Sequence, residues 1–413
     1  VFFVLVLPMN SRIEETYEVS LLKRLVGIKS VTGNGKGYKE IASVLREELK
    51  KLGLKINIYD GETEAGDGIP RPCIVARYDV GAEKTLGILT HYDVVDVGGE
   101  WKYDPFNLKV VKENGEIRLY GRGAADDKGC IVASIGAVKD IIEKGMEPHW
   151  NVSIIVVPDE EIGGRYGAGY IARNRYVNLD ALLVADSSSM GLVIGASGIV
   201  HGEIVVKGVQ GHAGYIFGSQ NAIHRAIIFL RELLGFTTVR SQKLSRLRNP
   251  PEYPIPRLWG RFSITKINTK NKAYNIVPGE VIVGFDMRLI PEEDVDDALA
   301  ELKSFFEMTK YKTGIHDVSM RIIRAFPGWM TSEEHKFVKH AHEILREITG
   351  KDLPIIGMLG GNDGGWFRHY GIPIISFGVW DNKSRIHGTN ESASLARILD
   401  LKEFIVRLAL SDI

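Results

Sequence analysis

Four apolar runs in this chain lack the alternation that marks a strand with one wet face: Leu86-Gly-Ile-Leu-Thr90, Val152-Ser-Ile-Ile-Val-Val157, Leu179-Asp-Ala-Leu-Leu-Val184 and Ile372-Pro-Ile-Ile-Ser-Phe377. Strands of this kind are buried on both faces and need helices above and below them. Helical periodicity over residues 12–28, 36–53 and 128–144 supplies such helices. Strand and helix signals alternate along the chain, which predicts an α/β fold with a mixed, mostly parallel sheet sandwiched by helices.

The pattern changes near Gly198. Residues 201–207 alternate, 221–234 are helical, 258–266 and 281–289 read as strands, 291–309 as a helix and 318–324 as a last strand. The order β-α-β-β-α-β is the split βαβ unit, an α+β, ferredoxin-like arrangement. Buried-strand and helix signals then resume, so the expected division is a discontinuous larger domain, 1–197 and 325–413, with residues 198–324 inserted into it. The Pro-rich stretch 249–256 reads as a surface loop of the insert. Residues 1–8 are wholly apolar, yet too short to span a bilayer and without a basic flank or cleavage site. They read as an extra strand or an extension, with Met9 as a candidate start.

Composition narrows the functional classes. Lys+Arg and Asp+Glu are both 52, for a formal net charge of +0, which argues against a nucleic-acid or anionic-membrane partner. Cys73 and Cys130 are the 2 cysteines, too few for a disulfide framework or a thiolate zinc site, and they point to a cytoplasmic protein. Any bound metal therefore falls to His and carboxylates.

Those residues stand where an open α/β sheet binds its ligands, beyond the carboxyl ends of the strands. The first run leads to His91 and Asp93, the second to Glu160 and Glu161, the third to Asp186, and the fourth through a loop to His387. Asp126 follows in the glycine-containing turn Gly121-Arg-Gly-Ala-Ala-Asp-Asp-Lys-Gly129. Its place is that of the third glycine of a dinucleotide loop, which the turn therefore does not match. Two His with several carboxylates suit a pair of divalent cations, zinc first, with cobalt or manganese as substitutes. Such a pair supports hydrolysis, and the adjacent Glu160 and Glu161 offer one carboxylate as base and one as ligand.

At these residues the chain resembles the co-catalytic zinc peptidase and deacylase family of acetylornithine deacetylase, succinyl-diaminopimelate desuccinylase, aminoacylase and glutamate carboxypeptidase. The matching pieces, in the family's order, include Thr90-His-Tyr-Asp-Val-Val95, Leu119 to Gly129, Asp159-Glu-Glu-Ile-Gly163, Gly211-His-Ala213, Asn275-Ile-Val-Pro278, Asp286-Met-Arg288, Gly360-Gly-Asn-Asp363 and Ile386 to Glu391. The resemblance implies two Zn2+ per subunit, one held by His91 and Asp186, the other by Glu161 and His387, with Asp126 bridging. It further implies Glu160 as general base and Asp93 as the residue holding the His91 ring. His212 would stabilise the oxyanion, and Arg288, Asn275, Gly360 and Gly361 would grip a substrate carboxylate. A cis peptide bond between Asp126 and Asp127 and a homodimer formed through the inserted lid belong to the same expectation.

The implied substrate is an N-acyl amino acid or short peptide with a free carboxylate. Asp186 stands where the deacylase branches usually carry Glu, which shifts the expectation toward peptides. The stretch 240–261 holds Arg240, Lys243, Arg246, Arg248, Arg257 and Arg261 against Glu252, either a solvated loop or an attractor of acidic substrates. The competing reading is a non-catalytic, metal-stabilised binding homologue of the same fold.

Overall fold

Runs with no polar face take the middle of the main sheet. A computed structural model describes residues 13–215 and 217–413; the expectation for residues 1–8 lies outside them. The chain divides into two compact units: Val1–Ile194 with Thr331–Ile356 and Asn362–Ile413, and Gly195–Met330 with Gly357–Gly361. The short Gly357–Gly361 segment thus joins the second unit from far along the chain.

In the first unit the strands lie in the order Lys55–Asp60, Pro72–Tyr78, Trp150–Val157, Lys84–His91, Ala181–Val184, Ile374–Ser376 and Leu192–Ala196. Lys84–His91 runs parallel to both Trp150–Val157 and Ala181–Val184, and Ile374–Ser376 is parallel to Ala181–Val184. The antiparallel pairings lie toward the edges. Every residue of Trp150–Val157 is buried, as expected of a strand covered on both faces.

The helix Lys128–Glu143 is buried on most of its circumference, packing against helices Tyr17–Gly27 and Leu395–Leu410. Its start is therefore fixed by the core, and so is the turn before it that carries Asp126. All four central parallel strands present their carboxyl ends to the same edge, which is why distant segments deliver side chains to one place.

The second unit contains an antiparallel sheet in the order Arg261–Asn268, Glu280–Leu289, Gly198–Lys207 and Val318–Phe326. Helices Ala222–Leu233 and Val295–Thr313 cover one face, burying Phe229, Leu233, Phe262, Phe285, Leu302 and Phe306. The expected strand 258–266 is two strands. Gly260 separates Arg257–Trp259, which pairs with Leu244–Arg248, from Arg261–Asn268 in the large sheet. A Cβ at Gly260 would meet the Arg240 carbonyl oxygen at 2.6 Å, so the chain passes here only as glycine. The helix expected over 291–309 starts later, where the Asp294 side chain accepts the Asp296 N–H at 2.9 Å and caps it.

Candidate metal centre

The expected metal residues and the expected base meet at the strand ends of the first unit. His91 is the last residue of its strand, and Glu160 and Glu161 form a short 3-10 turn after Trp150–Val157. Asp186 follows Ala181–Val184, and His387 lies in the loop after Ile374–Ser376 with φ 59. The Asp126–Asp127 peptide bond is cis.

Two groups of donor atoms each fall within 4.8 Å: His91, Glu160 and Asp186, and Asp126, Glu161 and His387. Asp126 turns one oxygen to each histidine. Its Oδ1 lies 3.1 Å from His91 Nε2 and its Oδ2 3.1 Å from His387 Nε2. Glu161 Oε2 is 2.9 Å from the same His387 nitrogen.

The electrostatics are those of buried, crowded carboxylates. Burial, then Asp186, holds the Glu160 carboxyl well above its usual range. Burial and then Asp126 raise Glu161, while burial is also the largest cause of the upward shift at Asp186. Asp126 goes the other way, because His387 and His91 outweigh the effect of burial. Glu161 Oε1 is buried with no hydrogen-bond partner. Two imidazoles and four carboxylates with no thiolate form a donor set that fits divalent cations, and a cation is what a buried, partnerless carboxylate oxygen calls for.

Supporting groups fix this arrangement. His91 Nδ1 lies 3.0 Å from the Asp93 carbonyl oxygen and 3.4 Å from its Oδ1, so both the backbone and the side chain of Asp93 face the ring. The Asp93 carboxylate also accepts the Glu160 and Glu161 N–H groups, at 3.2 and 3.3 Å. One residue thus orients a ligand on one strand and the acidic pair after the next. Asp159, with φ 64, is tied to Arg71 and accepts the Tyr38 hydroxyl at 2.9 Å, anchoring the same turn from behind.

The sequence reading gave no role to Glu391, although it ends a quoted motif. It is fully buried. Its Oε1 accepts the Ala125 and Asp126 N–H groups at 3.0 and 3.1 Å, and its Oε2 accepts Gly123 N–H at 3.1 Å and Arg122 Nη1 at 2.6 Å. Four donors on one carboxylate hold the turn that presents Asp126. Its place at the end of the Ile386 to Glu391 motif was the one signal the sequence offered, and it names no partner.

The remaining expected residues belong to the second unit. His212, in the short strand Gly211–His212, pairs opposite Ile276 and is exposed. Its Nδ1 accepts Gly214 N–H at 3.0 Å. The neighbouring Ala213 N–H donates to the Asn275 carbonyl at 2.8 Å, so His212 and Asn275 are brought together. Arg288 Nε donates to Asp286 Oδ1 at 2.8 Å. Ser197 N–H donates to the Gly360 carbonyl at 2.9 Å, and a Cβ at Gly361 would meet Phe326 at 2.5 Å.

Two cations of the basic stretch are neutralised within the unit: Arg240 is fully buried and donates to Glu293 and Glu301, and Lys243 contacts the same pair. His335 caps helix Lys336–Thr349 and His342 faces the Leu353 carbonyl at 2.6 Å, both structural roles.

Among known proteins, the sequence profile of peptidase family M20/M25/M40 matches residues 87–411. An uncharacterized metallohydrolase of Methanococcus maripaludis is 27% identical over 423 residues, covering 96% of this chain and 98% of that protein. The dipeptidase Dug1p of Saccharomyces cerevisiae is similar in fold, with a TM-score of 0.79 at 16% identity over 97% of this chain and 96% of that one. An M20 family metallo-carboxypeptidase of Sulfolobus solfataricus gives a TM-score of 0.76 at 22% identity, over 96% and 99% of the two chains.

Proposed function

Since the chain belongs to peptidase family M20/M25/M40 and is a peptide- or amide-bond hydrolase, we propose that it is a two-zinc enzyme cleaving short peptides or N-acyl amino acids that carry a free carboxylate. The observation that carries this reading is the split presentation of Asp126, one oxygen to His91 and one to His387. His91 and Asp186 would hold one cation, Glu161 and His387 the other, and Asp126 both. When bound, such cations polarise the scissile carbonyl and acidify water.

Glu160 takes the proton of the attacking water and returns it to the departing amine. Its place suits both steps, since it is grouped with His91 and Asp186 at the strand ends. Asp93 keeps that carboxylate in place by accepting the turn's N–H groups and fixes the orientation of the His91 ring. In the second unit, His212 is the donor to the developing oxyanion. Arg288 with Asn275, Gly360 and Gly361 takes the substrate carboxylate, a task matched to a planar guanidinium. The second unit serves as lid and as the contact of a homodimer, and the enzyme works in the cytoplasm. Among the described residues no helix is long and apolar enough to cross a membrane.

Dipeptides are favoured over acylated biosynthetic amino acids by Asp186 in place of Glu and by the dipeptidase and carboxypeptidase neighbours. A panel of dipeptides, N-acetylornithine, N-succinyl-diaminopimelate and N-acyl amino acids separates the two. The mechanistic test is Glu160→Gln, which should retain two equivalents of metal and lose at least ~10²-fold in turnover, the low end for a general base. Turnover near that of the unaltered protein would end this mechanism.

A further inference from the structure

On the polar face of the second unit's four-stranded sheet, Glu203 and Glu280 pair with Arg321 and Lys207, while the end that carries Arg288 holds several cations beside one carboxylate, Asp286. In the register of that sheet Arg261 stands opposite Arg288, His201 opposite Asp286, and Arg324 opposite His201. Directly opposed residues of an antiparallel ladder share a face, with Cβ atoms ~4.5–5.5 Å apart. The intervening residues Phe262, Met287 and Val200 fill the core on the other side. Arg261, Arg288 and Arg324 therefore share this end of the face with Asp286.

Asp286 is already committed. Its Oδ1 accepts from Arg288 Nε at 2.8 Å and its Oδ2 lies 2.7 Å from His201 Nε2, and Arg261 makes its contacts elsewhere. Arg261 lies over the Trp259 ring at 5.0 Å and gives one terminal nitrogen to the Leu359 carbonyl at 2.7 Å, immediately before Gly360 and Gly361. Its Nε is buried without a partner. Burial and then Arg288 push the Arg261 pKa down to about 10, a lowering that the nearby Asp286 opposes without cancelling. Like charges set opposite each other destabilise a ladder. A single substrate carboxylate satisfies one guanidinium fork and leaves the other as it was.

We propose that Arg261 and Arg288 hold two carboxylates of one substrate, Arg288 the free α-carboxylate and Arg261 an acidic side chain on the same residue, so that amides and peptides of glutamate or aspartate are the preferred class. The inference rests on the hydrolase reading above for the role of Arg288. It differs from the basic-stretch idea in that it needs only the one member of that stretch facing Arg288.

The test compares Ala-Glu with Ala-Gln as substrates, and free glutamate with free glutamine as calorimetric ligands, for the metal-loaded protein and for Arg261→Gln and Arg261→Lys. A charged hydrogen bond predicts a ~10–100-fold preference for Ala-Glu in kcat/KM, expressed mainly in KM. Arg261→Gln should bring the Glu/Gln ratio of kcat/KM to near one, while Arg261→Lys should restore part of the preference. A Glu/Gln ratio near one in the unaltered protein, or an equal loss on both substrates in Arg261→Gln, overturns the inference and leaves the hydrolase reading standing. Tighter binding of glutamate that depends on Arg261, without hydrolysis of either dipeptide, supports the inference and overturns the hydrolase reading. Equal binding of the two amino acids without hydrolysis overturns both.

Discussion

Replacing Glu391 by Gln removes one charge and changes no volume, yet its consequences at the Asp126 turn should be large. The carboxylate receives Ala125 and Asp126 N–H on one oxygen, and Gly123 N–H with Arg122 Nη1 on the other. A carboxamide oxygen can keep the first pair, but its NH2 then faces two donors where an acceptor is needed. Arg122 is 1% exposed and its Nε has no partner, so water cannot take over. Breaking a buried ion pair from one side costs about 3–5 kcal/mol, a large share of a total stability of ~5–15 kcal/mol. At roughly 2–4 °C per kcal/mol for a large domain, the first thermal transition should fall by about 6–20 °C. Metal affinity should drop ~10–100-fold, the usual effect of losing a group that orients a ligand. Scanning calorimetry and metal titration on Glu391→Gln check both values. A loss below about 1 kcal/mol with both equivalents of metal retained would refute the assignment of Glu391 as the clamp of this turn. Adding Arg122→Met should recover part of the loss, since removing both partners is milder than removing one.

Two further outcomes follow. Chelation should lower the melting temperature and zinc should restore it, with stabilisation of about 2.7 kcal/mol at a free metal concentration one hundred times the dissociation constant; a transition indifferent to metal would mean that the clustered carboxylates hold none. Asp286 has its pKa lowered to about 2 because His201 and Arg288 outweigh burial. A depressed carboxylate stabilises the fold above its unfolded value near 3.8 and loses that contribution as pH falls toward 2. Solvent screening limits it to about 1 kcal/mol, and Asp286→Asn should flatten the acid limb of the stability profile by that amount.

The strand ends were legible because each pairs a doubly buried run with a polar group, a local pattern. Thus His91, Glu160, Glu161 and Asp186 could be read one by one, and their meeting followed from parallel topology. Glu391 was not legible as a clamp, since its partners are the N–H groups of a turn 265 residues earlier and no local spacing encodes them. The partners of Arg240 and Lys243 were hidden for the same reason: Glu293 and Glu301 lie outside any window drawn around the basic stretch. The break at Gly260 depends on the Arg240 carbonyl lying against it, again a contact made only in three dimensions.

The distance along the chain between Asp126 and Glu391 also has a consequence in time. The turn that presents Asp126 leaves the ribosome 265 residues before the carboxylate that accepts its N–H groups. At ~5–20 residues per second that is an interval of roughly 13–53 s, during which the second unit is synthesised in full. Throughout that interval the turn has three N–H donors and a guanidinium without their acceptor, and His387 is also absent. The metal centre is therefore a late event of synthesis, completed when the stretch that carries His387 and Glu391 docks. Substitutions in that stretch should lower the yield of active protein at birth more than they slow the enzyme once assembled.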